Sequence, residues 1–333
     1  VPRRLPGGGG VSAVASQPGG GAGRLLRRRR WILSLAVLAV LSAVNAWLQP
    51  TFLTGPVIAS NLTSFLPLVL VAVGQTWVVL AGDIDLSVGP IIALVNVCVV
   101  TAIEALGGDG TAILAGMALG LAIGLVCGVV NGLCVALLRF QPIVTTFATG
   151  ILFGGVALWV LPQAGGAVPE AYWRAYAGEI LGVRTPLLVL AAAVLAVLAI
   201  GRTIWHRRLL GTGGNLVGAF QTGLPVARLR VSAYIACGLF AAVAALCLVG
   251  ETASADPLLG PSYTLSSVSA VVLGGTALSG GAGSAVGSVL GALILGTINN
   301  VIFFAGLPYE MQDLAKGVIV LLALAGGVLV ARR

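Results

Sequence analysis

Apolar runs of membrane-crossing length recur along nearly the whole chain, and few folds can absorb that many. Polar residues and Gly/Pro breaks divide them into ten, at 31–48, 57–81, 86–105, 111–138, 143–161, 186–201, 231–250, 264–279, 284–305 and 310–331. A helix needs about 20 apolar residues to cover the hydrocarbon core, where every backbone polar group must be bonded within the protein. Charged residues make up only 8% of the 333 positions, against 58% hydrophobic, whereas ordinary soluble domains carry about 25% charged residues. The expectation is an all-α integral membrane protein of about ten transmembrane helices, some broken or short, in one polytopic domain over 24–333. The run at 264–279 is the weakest, short and rich in Ser and Gly, and is open to being a half-helix buried in protein. Residues 1–23 mix Gly, Pro, Ser and Arg without the apolar core of a signal peptide and are expected to form a disordered cytoplasmic tail.

The net charge of +8 is informative through its placement. Alternating topology gathers Arg3, Arg4, Arg24, Arg27 to Arg30, Arg139, Arg202, Arg207, Arg208, Arg228, Arg230, Arg332 and Arg333 on one face, leaving Arg174 and Arg184 in a loop on the other. The positive-inside rule then puts both termini in the cytoplasm, and an even number of spans agrees. The basic residues thus serve orientation, and no nucleic acid partner is expected. Cys98, Cys127, Cys134, Cys237 and Cys247 all lie in apolar runs without metal-site spacing, as small packing residues do. His206 sits in an arginine-rich loop and reads as a solvated residue.

Against this background Asp83 and Asp85, in the string Gly82 to Gly89 (GDIDLSVG), mark a break. A carboxylate at the bilayer centre costs about 2.5 to 3.5 kcal/mol even on lenient scales, so such residues persist at span ends, in water-filled paths or at functional sites. Asp85, Ser87, Asn96, Asn131, Thr145, Thr146, Asn299 and Asn300 are candidates for lining a path or bracing helices, since each needs a partner in a dry interior. Bracing of a helix end and lining of a path both remain open for Asp85. Gly116, Gly120, Gly124, Gly128 and Gly132 recur every fourth residue, so one helix face is stripped to backbone and suits close helix packing. The segment 201–230 combines basic residues with Gly211, Gly213, Gly214 and Asn215, read as a glycine turn leading into a short helix that Pro225 closes. The loop 162–185 offers Tyr172, Trp173 and Tyr176 for interface anchoring or ligand contact.

No phosphate-cradling lysine loop, Ser/His/Asp set, metal cluster or cofactor motif is present. No catalytic residue, bound metal or cofactor is expected on this chain. An ion-coupled transporter would need carboxylates near the midplane, for which Glu104, Glu310, Asp313 and Lys316 are the available charges.

Several strings taken together resemble the permease subunits of bacterial ABC importers of the ribose/xylose/arabinose type, in the superfamily that also holds branched-chain amino acid and nucleoside permeases. They are GDIDLSVG at 82–89, NGLCVALLRFQPIVTTFAT at 131–149, Gly213 to Asn215, SADP at 254–257, LGGTALS at 273–279 and GALILGTINN at 291–300. The resemblance implies a multi-pass permease of the bacterial inner membrane. It implies a second permease copy, cytoplasmic ATP-binding subunits carrying ATP and Mg, and an extracytoplasmic sugar-binding protein. It also places the ATPase-docking segment in the cytoplasmic loop 201–230, at Gly213, Gly214, Asn215, Ala219 and Gly223. Where relatives usually have acidic residues, then alanines and arginine, this chain has Leu216, Val217, Gly218, Ala219 and Phe220, so its docking surface is apolar. A neutral sugar needs no counter-charge, whereas an amino acid has two opposite charges to satisfy in an interior that offers few; a monosaccharide is the expected cargo, with a nucleoside, a branched-chain amino acid or a signalling sugar derivative as alternatives.

Overall fold

The computed structural model describes residues 31–308 together with positions 311, 314, 317, 318 and 321. The tail 1–23 and most of the tenth run, with Glu310, Asp313 and Lys316, lie outside the described residues. The elements are α1 (Trp31–Leu48), α2 (Gly55–Leu80), α3 (Val88–Ala105), α4 (Gly110–Ala136), α5 (Pro142–Val160), α6 (Glu170–Ala177), β1 (Glu179–Ile180), β2 (Val183–Arg184), α7 (Thr185–Gly201), α8 (Ile204–Gly214), α9 (Leu216–Gln221), α10 (Val226–Thr252), α11 (Pro261–Leu273) and α12 (Ala285–Phe304). Helix starts follow local chemistry. Pro occupies the first turn of α2, α5, α7 and α11, where its missing N–H costs nothing. Asp109, Thr203, Asn215 and Ser284 accept backbone N–H bonds as N-caps of α4, α8, α9 and α12.

Six helices among the described residues, α2, α3, α4, α5, α10 and α12, are long and apolar enough to cross a membrane. The consecutive pair α7 and α8 makes a possible seventh, bent by 72°. The count of ten expected from hydropathy therefore exceeds what these residues display. The run at 264–279 is one source of the difference: α11 stops at Leu273 after 13 residues, and Gly275 then turns the chain at φ +82°. The rest of that run is irregular backbone.

A correction also applies to 201–230. Gly211, Gly213 and Gly214 are helical, forming the end of α8 rather than a turn. Pro225 opens α10; the turn that ends α9 is made at Gly223, with φ +78°. His206 is not a solvated loop residue. Its ring stands edge-on to Trp77 at 5.5 Å, beside Trp205 at 5.4 Å from the same indole. Trp205 and Leu209 turn inward on α8 while Arg207 and Arg208 stay exposed, an amphipathic pattern that docks α8 on the body.

α10 is the central post, packed on α2, α3 and α4. The glycine face of α4 is what lets it come so close: Gly116 and Gly120 lie against Ile103 and Val99 of α3, whereas Gly124, Gly128 and Gly132 lie against Gly238, Tyr234 and Val231 of α10. A second cluster gathers α12 with α1, α2 and α11. There Asn45 of α1 donates to the Thr297 carbonyl at 3.3 Å, and Ser34 donates to the Leu273 carbonyl at 2.7 Å. Without a hydrophobic force between helices in lipid, such close backbone contacts and interhelical hydrogen bonds carry the association.

Candidate functional site

Between α2 and α3 the chain runs unwound from Ala81 to Ser87, entered through Gly82 at φ +92°. Irregular backbone buried within the protein needs protein groups to satisfy it, and four helices supply them. Gln75 of α2, with its amide oriented to suit both neighbours, donates to the Asp85 carbonyl at 3.3 Å and accepts from the Asp85 N–H at 3.2 Å. Thr146 of α5 accepts the Leu86 N–H at 3.0 Å. Asp85 Oδ1 accepts from the Ser87 N–H at 2.8 Å and the Ser87 hydroxyl at 2.6 Å. Asn131 of α4 donates to Ser87 Oγ at 2.6 Å and itself accepts from Thr149 of α5 at 2.7 Å. A relay of side chains thus runs Thr149, Asn131, Ser87, Asp85. Asp85 is fully buried, and its second oxygen, Oδ2, has no hydrogen-bond partner among the described residues.

Asp83 points to the fourth helix. Its carboxylate, 5% exposed, receives a two-pronged ion pair from Arg230 near the start of α10, Nε to Oδ2 at 2.9 Å and Nη2 to Oδ1 at 2.7 Å. The guanidinium fork matches the carboxylate, which offsets much of the cost of burying both charges. One side of the break is therefore tied to α4 and α5 by neutral hydrogen bonds, and the other to α10 by charge.

Three glycine segments meet beside the same break. Gly281 N–H donates to the Leu80 carbonyl at 3.1 Å. Gly213 lies so close to that carbonyl and to Gly281 that any side chain on it would overlap them, and Gly280 lies against Gly82 and Gly213. α8 continues from this junction through Asn215, whose Oδ1 caps α9 by accepting the Gly218 N–H at 2.8 Å. On α9, Ala219 is buried against the body while Leu216, Val217 and Phe220 are exposed by 47%, 65% and 73%. The short helix is a raised apolar knob carried on α8 and α10, one residue beyond the Gly213–Gly214 junction.

The remaining residues singled out from sequence scatter. Thr145 bonds only within its own helix, to the Gln141 carbonyl at 2.8 Å. Asn96 accepts the Asp256 N–H at 2.9 Å and holds the 253–260 segment on α3. Asn300 donates to Asn61 at 3.0 Å, and Asn299 is exposed. Gln75, Thr149 and Arg230 belong to the site and were not singled out for it; the signal for Gln75 was an amide deep in the apolar run 57–81. Asn131→Leu is expected to leave Ser87 and Thr149 without their shared partner and to cost about 1–3 kcal/mol, read as a lowered unfolding temperature of the detergent-solubilised chain.

Comparison with known proteins fits this architecture. The family described as branched-chain amino acid transport system / permease component matches residues 57–324. The ribose import permease protein of Bacillus subtilis is 38% identical over 296 residues, covering 87% of this chain and 89% of the relative. The ribose import permease protein of Escherichia coli K12 is 34% identical over 311 residues, 91% and 96% of the two chains. The L-arabinose transport system permease protein of Escherichia coli K12 is 32% identical over 296 residues, 87% and 88%. With a single family match running from α2 past α12, and sugar permeases aligned along nearly their full length, this multi-pass chain of the bacterial cytoplasmic membrane belongs to the branched-chain amino acid transport system / permease component family.

Proposed function

We propose that the chain is the membrane-spanning subunit of an ATP-driven importer that carries a monosaccharide. In this reading two copies form the conduit, the arginine-rich end and both termini face the cytoplasm, and ATP-binding subunits holding ATP and Mg grip α9. An extracytoplasmic binding protein delivers sugar to the opposite end. The observation that carries it is the α9 knob: three large apolar side chains stand exposed on a helix of six residues, in a segment that also carries exposed Arg202, Arg207, Arg208 and Arg228. Apolar groups presented on a charged, water-facing end suit a protein partner's groove. Closure of the ATPases would push α9, and through Gly213 and Gly281 the push would reach the Asp83–Asp85 break and the helices tied to it. The ribose and arabinose permeases among the relatives favour sugar as cargo. Glu104, the one described charge of an ion-coupled alternative, is exposed at the end of α3.

Phe220→Asp tests the knob. Losing one buried aromatic ring removes about 1.5–3 kcal/mol of docking, so sugar uptake by the reconstituted importer is expected to fall about tenfold or more while the permease stays folded and the ATPase subunits keep their basal hydrolysis. Unchanged uptake would remove α9 as the docking element. Phe220 is the cleaner target than Ala219, because Ala219 is buried and a bulky charge there would also unseat the helix.

A further inference from the structure

At the end of the molecule remote from α9 a cavity of about 350 Å³ opens between the start of α2, α6, the start of α7 and the end of α10. Ser64 on its wall and Leu80 beside the α9 junction are separated along α2 by about 24 Å of helix. From this cavity we infer a binding site for a neutral sugar ring on the permease itself, a receiving station for cargo at the outer mouth. The inference rests on the importer reading above and adds to it a site separate from the Asp83–Asp85 break and from α9.

The walls carry the chemistry. Trp173 and Tyr176 present aromatic rings, Glu251 a carboxylate, Arg184 a guanidinium, and Ser64 a hydroxyl. Aromatic faces cover the C–H face of a sugar, while charged and hydroxyl groups around the edge meet its hydroxyls, the division of labour that small-molecule sites use. Each wall is braced. Trp173 has the Arg174 guanidinium over its ring at 5.7 Å, and Arg174 pairs with Glu170 one turn earlier. Tyr176 seats its ring directly on Gly250, where a side chain would collide with it. Glu251 accepts one hydrogen bond, from the Ser64 hydroxyl at 3.0 Å, and its remaining acceptor capacity faces the cavity. One cation and one anion leave the cavity electrically balanced. A branched-chain amino acid would also find both charges, and Ala177, Pro186 and Ala253 offer its side chain apolar contact; the hydroxyls of Ser60, Thr63 and Ser64 beside two aromatic rings favour a ring edged with hydroxyls. The size matches a single sugar ring, at the small end of ligand pockets.

The full-length chain in lipid nanodiscs, without the binding protein, is titrated with D-ribose, with L-arabinose and separately with L-leucine, and bound ligand is read by saturation-transfer NMR. At least one of the two sugars is expected to bind and leucine is not. Glu251→Gln and Trp173→Ala should each weaken sugar binding about tenfold, the effect of losing one charge-assisted hydrogen bond or one stacked face. Trp173→Phe, which keeps a ring, should retain most of it. Unfolding temperatures within a few degrees of the parent show that the variants are folded, and Ser64→Ala supplies a mild second probe of Glu251. Sugar binding unchanged in both strong variants would overturn the inference. So would leucine binding in place of sugar, or a reconstituted importer that takes up ribose or arabinose while the nanodisc chain binds neither. An importer that moves no sugar at all would instead bring down the proposed function, and the cavity's assignment with it.

Discussion

Arg230→Ala is expected to cost about 3–5 kcal/mol of stability, because it strands the Asp83 carboxylate in a place that water does not reach. Asp83 is 5% exposed and both of its oxygens are engaged by the one guanidinium. Arg230→Lys should recover only part of the loss, since an ammonium cannot bridge both oxygens in one plane. The paired replacement Asp83→Leu with Arg230→Met should be close to neutral for folding, because it removes both charges together. Thermal unfolding of the four purified proteins in one detergent checks the series. If Arg230→Ala unfolds within a degree of the parent, the ion pair does not hold the break to α10. The paired variant carries a second expectation: a folded protein with impaired transport would mean that the charge link also relays motion from the α9 end.

Gly238→Leu should abolish folded protein. Gly238 and Gly124 face each other across the α4–α10 crossing, where a Cβ on either would overlap the other's backbone carbonyl. The intruding atoms would meet backbone, which cannot swing aside as a flexible side chain can, so the helices must separate. Overpacking of ordinary cores costs about 1–3 kcal/mol and occasionally more; here separation also forfeits the neighbouring contacts at Gly128 and Gly132 along the same face. No monodisperse peak is expected for a fluorescent fusion on size exclusion. Gly154→Leu is the control, since Gly154 has open space beside it and should tolerate the change. A normal peak for Gly238→Leu would show that the two helices do not cross as described.

Much of the membrane architecture could be read from the chain because a helix in lipid must be both long and apolar, and α2, α3, α4, α5, α10 and α12 fall close to the boundaries that hydropathy suggests. Hydropathy failed where apolar length and spanning part company. Residues 264–279 are apolar enough on average, yet Gly274 and Gly275 end α11 and turn the chain. The opposite error befell α8: His206, Arg207 and Arg208 interrupt the apolar run, although Trp205 and Leu209, four residues apart, form the buried face of a helix. At the candidate site, Asp85, Ser87, Asn131 and Thr146 stood out because polar groups in an apolar run demand partners. Who those partners are is a property of tertiary structure. Asp83 and Arg230 are 147 residues apart, and no local pattern distinguishes that arginine from the others gathered at the same end. The meeting of Gly82, Gly213 and Gly281 was equally hidden, since each glycine alone reads as a turn or a packing face.

In the proposed function this chain is a conduit whose power stroke arrives from another subunit through α9. Uptake of labelled ribose and arabinose into sealed proteoliposomes tests it most directly, with the permease reconstituted alone or together with its ATP-binding subunits and binding protein, each with and without ATP. Accumulation is expected only in the complete system supplied with ATP, and it should vanish when Phe220→Asp replaces the parent chain. Accumulation by the permease alone, driven by a sodium or proton gradient, would contradict the account.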